Sequence, residues 1–120
     1  MFAVLVTEES GGLVFVELLG ELDRTVLGRC RSQLHDAAPE DPASCVAVDL
    51  RSLDFCCVAG VRELLRFGLA LRARGVSVCL VAEPGTHLRA VFEIARGRAD
   101  VPLLAAGEVG VWAVLARIDR

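Results

Sequence analysis

Residues 44–60 read Ser44-Cys45-Val46-Ala47-Val48-Asp49-Leu50, then Arg51-Ser52-Leu53-Asp54-Phe55, then Cys56-Cys57-Val58-Ala59-Gly60. The first seven are almost continuously apolar and show no period of two. A run of that length and composition suits a central strand covered on both faces, and it is expected to end at Leu50. Pro39-Glu40-Asp41-Pro42 precedes it as a turn. On the C-terminal side, a helix is expected from about Val58 to Arg74, with Val61, Leu64, Leu65, Gly68 and Leu71 as its apolar stripe. Gly75 is placed to end it. Val76 to Ala82 is a second buried strand. Pro84-Gly85 turns the chain, and Thr86 caps a third helix carrying Leu88, Val91, Phe92 and Ala95.

Working back to the N-terminus, Phe2–Thr7 and Leu13–Leu19 are β-prone runs separated by Glu8-Glu9-Ser10-Gly11-Gly12. So short a link permits only antiparallel pairing. Val14, Val16 and Leu18 share one face of the second run, and Gly20 is expected to end it. Asp23 or Thr25 caps a helix reaching about Ala38, with Val26, Leu27, Cys30, Leu34 and Ala37 inward. A last helix, Gly107–Arg117, is expected to turn Val111, Val114 and Leu115 inward and to pack Trp112 on the sheet. The order β-β-α-β-α-β-α-(short β or loop)-α predicts an α/β fold. It forms one domain over 1–120, a mixed sheet of four or five strands with about four helices, mainly on one side.

The chain has 120 residues and a net charge of -3, too mild for a general nucleic-acid surface. No apolar run reaches the roughly 18–20 residues of a membrane span, so no membrane insertion is expected. The N-terminus lacks a basic region and a cleavage site, which predicts a cytoplasmic protein. Five cysteines, Cys30, Cys45, Cys56, Cys57 and Cys79, are odd in number and show no framework spacing. Reduced thiols are the expectation, with Cys30, Cys45 and Cys79 acting as small hydrophobes. His35 and His87 fall on separate helices and are read as exposed, so no metal site and no cofactor are expected.

Three segments together carry a family resemblance. Gly20-Glu21-Leu22-Asp23 follows an apolar strand. Val46-Ala47-Val48-Asp49-Leu50-Arg51-Ser52-Leu53-Asp54-Phe55 forms a strand and loop. Ala59-Gly60-Val61 opens an amphipathic helix that leads to Gly75 and another apolar strand. This pattern resembles the STAS domain of anti-sigma-factor antagonists and sulfate-transporter tails. The resemblance implies a protein-binding regulatory domain, not an enzyme. It implies an anti-sigma factor of the serine-kinase type as partner, and leaves room for a homodimer. The implied docking surface is the segment Phe55–Arg66 with the edge near Glu21–Thr25, including Glu21, Asp23, Phe55, Cys56, Cys57, Val58, Ala59, Gly60 and Arg62. A STAS subunit of a transporter complex is the alternative.

In the family, a serine at the start of this helix accepts phosphate, where free N–H groups and the helix dipole receive it. Here Val58 stands in the serine's place and Cys57 in that of the preceding aspartate. Valine has no hydroxyl, so the expectation is a degenerate phosphosite and either constitutive binding or a different partner. Cys56 and Cys57 read most simply as small loop residues. A redox switch is the second reading, because a helix N-terminus with Arg62 and Arg66 nearby favours thiolate.

Cys57-x4-Arg62 also has the form of a rhodanese loop, and Cys56-x5-Arg62 that of a tyrosine-phosphatase loop. Three features count against catalysis. The strand is expected to stop five residues before Cys56. Glu63 would repel an anion. Asp54 is a general-acid candidate only by its proximity in sequence. The arginines of the second and third helices, among them Arg66, Arg72, Arg74 and Arg89, read as a solvated face.

Overall fold

The computed structural model describes residues 1–118. Five strands form one sheet in the order β1-β2-β3-β4-β5: β1 (Phe2–Glu9), β2 (Leu13–Leu22), β3 (Cys45–Cys56), β4 (Ser77–Val81) and β5 (Leu103–Leu104). β1 is antiparallel to β2, and every other neighbouring pair is parallel. The helices are α1 (Leu27–Ala37), α2 (Val58–Ala73), α3 (His87–Arg96) and α4 (Val109–Ile118). The expected order of elements and the mixed sheet are therefore observed.

The alternation of β2 and β3 separates two cores. On one face Val14, Val16, Leu18, Val46, Val48 and Leu50 meet Cys30 and Leu34 of α1, Val61, Leu64 and Leu71 of α2, and Phe92 of α3. On the other, Leu13, Cys45, Ala47, Cys79 and Val81 meet Val109 and Ala113 of α4, with Trp112 packed at the margin. Leu64 has no accessible surface, and truncating such a residue to alanine costs about 2–5 kcal/mol. α2 ends as expected. The Gly75 N–H donates to the Arg72 carbonyl at 2.9 Å and the Val76 N–H to the Leu71 carbonyl at 3.1 Å. This is the paired-bond stop that glycine allows.

Three expectations are corrected. Gly20 does not end β2: the strand continues to Leu22. Gly20 has φ +87, and a Cβ there would lie 2.0 Å from the Met1 carbonyl oxygen. Only glycine fits this irregularity, which realigns β2 with β3 between Gly20 and Glu21. Likewise β3 does not stop at Leu50. Its second half continues to Cys56, with Ser52–Cys56 pairing with Leu19–Leu22. The third correction concerns α4. Val111, Val114 and Leu115 are exposed, and it is Val109 and Ala113 that are buried.

Candidate functional site

Because β2 and β3 both run past their expected ends, they finish side by side. Glu21 lies opposite Phe55 and Leu22 opposite Cys56 in the register. The Cys57 N–H donates to the Leu22 carbonyl at 2.9 Å. This bond fixes the turn from β3 into α2, so the end of the second strand and the start of the second helix form one surface. Leu22 was not singled out by sequence reasoning. Its only signal there was its place as the apolar residue within Gly20–Asp23.

Asp23 leaves this edge as the cap of a 3-10 turn, Arg24–Val26, that leads into α1. Its carboxylate accepts from the Thr25 N–H at 2.9 Å and the Thr25 hydroxyl at 2.6 Å. The hydroxyl hydrogen bond is the main reason the Asp23 carboxyl titrates below its ordinary range. Asp23 rather than Thr25 is thus the capping residue.

Cys57 is the N-cap of α2. Its Sγ accepts from the Gly60 N–H at 3.3 Å, and its carbonyl accepts from the Val61 N–H at 3.0 Å. Cys56 points the other way, into the core margin beside Leu22 and Gly60. Burial pushes its thiol up to about 12, with the neighbouring Cys57 and Cys30 adding to the shift. Gly60 is buried, and a Cβ there would fall 2.8 Å from Leu22 Cγ and 3.1 Å from Cys56 Sγ. The close approach of α2 to the end of β2 therefore requires glycine.

Above this support the surface is apolar and open. Phe55 is 52% exposed and Val58 68% exposed. Both are large for surface positions; Phe55 lies near the end of β3 and Val58 opens the first turn of α2. Glu21 and Arg62 are exposed beside them, and Arg62 makes no ion pair among the described residues. Ala59 is partly exposed. The nine sequence-derived positions fall in one region, with Gly60 and Cys56 turned beneath the surface and Asp23 at its margin as the cap of the following turn.

Two of the arguments raised against catalysis change. β3 runs directly into Cys56, so a strand does lead into the loop. Glu63 does not face the loop: it is buried and accepts two hydrogen bonds from Arg31, at 3.0 and 2.7 Å. Arg31 titrates above its ordinary range through that contact. A different geometry bears on the enzyme reading. An anion cradle needs several loop N–H groups pointing at the ligand, and three of this loop's, on Cys57, Gly60 and Val61, bond within the chain instead. The Cys56 thiol, pushed up to about 12, is poorly suited to act as a thiolate nucleophile near neutral pH.

Residues 4–97 match the STAS domain. The chain belongs to the STAS domain family. Solved structures share the fold at low identity. An anti-sigma factor antagonist from Mycobacterium paratuberculosis is 19% identical with a TM-score of 0.76, over 96% of this chain and 95% of that one. The anti-sigma factor antagonist SpoIIAA in its unphosphorylated form is 22% identical with a TM-score of 0.66, over 94% and 98%. A chain in the complex of the diguanylate cyclase SiaD with its activator SiaC from Pseudomonas aeruginosa is 12% identical with a TM-score of 0.56, over 86% and 90%. No curated protein matches the chain. No helix among the described residues is long and apolar enough to cross a membrane.

Proposed function

We propose that this STAS domain is a protein-binding regulatory module of the anti-sigma-factor-antagonist kind, docking through the first turn of α2 and the adjoining end of β2. The observation that carries the reading is the pair of exposed apolar side chains, Phe55 at the end of β3 and Val58 at the start of α2. Such a patch, rimmed by Glu21 and Arg62, has the composition of a small interface with an apolar centre and polar edge. The partner is an anti-sigma factor of the serine-kinase type. Valine leaves position 58 without a hydroxyl to phosphorylate, so docking is constitutive with respect to modification at that position. The Cys57 sulfur, which caps the helix, is the remaining group at this spot whose chemistry a cell can change.

The test is a pull-down from native lysate with wild type and Val58→Asp, with and without thiol reductant. Recovery of an anti-sigma-type ATPase by wild type and its loss with Val58→Asp supports the reading. Equal recovery by both variants sinks the docking surface. Dependence on reductant that is lost in Cys57→Ser supports a redox response at Cys57, and the absence of any dependence removes that part of the proposal.

A further inference from the structure

A second surface lies at the far edge of the sheet. Among the described residues β1 pairs on one side only, with β2. The Glu21 N–H donates to the Met1 carbonyl at 2.8 Å, and the register Phe2↔Gly20 to Glu9↔Leu13 follows from there. Alternation then directs the backbone groups of Ala3, Leu5, Thr7 and Glu9 to β2, and those of Phe2, Val4, Val6 and Glu8 outward. The Arg29 guanidinium confirms the direction, because it donates to the Phe2 carbonyl at 2.9 Å. Among the described residues nothing pairs with the outward N–H and C=O groups of Val4, Val6 and Glu8. An edge of this kind is a template for another strand.

Beside this edge, between β1 and the end of α1, lies a groove of about 730 Å³. Val4 and Val6 form part of its floor. Its walls carry Glu8, Glu9, Asp36, Glu40 and Asp41, and no lining residue is basic. A second copy of this chain would bring these carboxylates against their own counterparts, which repel. A basic strand meets opposite charge instead.

We infer that the β1 edge is a second docking site, distinct from the start of α2, that takes an extended basic segment of a partner protein as a sixth strand. The period of two dictates its pattern. Lysine or arginine at alternate positions faces Asp36 and Glu40 in the groove. Apolar residues between them lie beside Leu5, which is half exposed on the opposite face.

The test is an NMR titration with two probes, an alternating Lys-Val octapeptide and its Glu-Val counterpart. The expected result is binding of the first alone. Shifts and slowed amide exchange should centre on Val4, Val6 and Glu8, and raising salt from 50 to roughly 500 mM should weaken binding severalfold. Val6→Pro removes one outward N–H while sparing the ladder to β2, and should abolish the exchange protection. Glu8→Lys, Asp36→Lys and Glu40→Lys combined should weaken binding at least tenfold, so the proposal stays testable if the proline variant does not fold. Binding insensitive to Val6→Pro in a folded protein, shifts centred elsewhere, or no binding of the Lys-Val peptide at millimolar concentration overturns it.

Discussion

The Cys57 Sγ accepts a hydrogen bond from the Gly60 N–H at 3.3 Å, so a thiol caps the helix on which the proposed docking surface is built. Sulfur is a weak acceptor, and an oxygen at the same place does the task better. Cys57→Ser and Cys57→Asp should each raise stability by about 0.5–1 kcal/mol, the aspartate also through the helix dipole. Cys57→Ala should lower stability instead. Urea denaturation of the three variants checks the order; a serine variant no more stable than alanine would show that the cap contributes nothing.

Gly60 and Leu22 couple the helix start to the end of β2. A Cβ at Gly60 would meet Leu22 Cγ at 2.8 Å, so Gly60→Ala should cost about 1–3 kcal/mol by overpacking. Leu22→Val removes a methylene group at the point of conflict. The double variant should therefore be more stable than the sum of the two single losses predicts, by roughly 0.5 kcal/mol or more. Strict additivity in a double-mutant cycle would separate the two residues.

The thiols predict an alkaline limit to stability. Burial is the main cause that pushes Cys30 up to about 11 and Cys56 up to about 12, and it pushes Cys79 up as well. Their ordinary value is 9.0. As pH rises from there, the unfolded chain loses protons that the folded chain keeps, so stability is full below pH 9 and falls through the window from 9 to about 12. The chain has no tyrosine and no lysine, so its cysteines dominate titration in that range. The urea midpoint should be level from pH 7 to 8.5 and fall above pH 9, with a shallower fall in Cys56→Ala. A midpoint level up to pH 11 would contradict this.

What the sequence made legible was what local pattern controls. The apolar run 44–50, the stripe of α2 and the stop at Gly75 each depend on residues within one turn or one strand. The errors came where a distant contact decides. Gly20 reads as a strand terminator, but the Met1 carbonyl packs against it and the strand bends and continues. Arg51–Cys56 looks too polar for a strand because it is paired along only part of the sheet, against the end of β2. Glu63 reads as a charge at the loop, whereas its partner Arg31 stands on another helix. At the candidate site, the resemblance puts Phe55–Arg66 and the edge near Glu21–Thr25 in one region. It did not reveal the Cys57–Leu22 bond that joins them, because that contact exists only once both strands run on.

The last helix gives the sharpest discrimination between pattern and packing. α4 reads VGVWAVLARI, apolar on most sides, so its period does not say which face is buried. Close approach to the sheet decides. Ala113, 1% exposed, packs among Cys45, Cys79 and Val81, while Val114 on the neighbouring turn position is 53% exposed. Val114→Lys should therefore change stability by no more than about 0.5 kcal/mol. Ala113→Leu, although more hydrophobic, should cost about 1–3 kcal/mol because no space exists for it. Thermal or urea unfolding of the two variants measures the difference directly. The opposite order would put Val114 inward, turn α4 over, and restore the face expected from sequence.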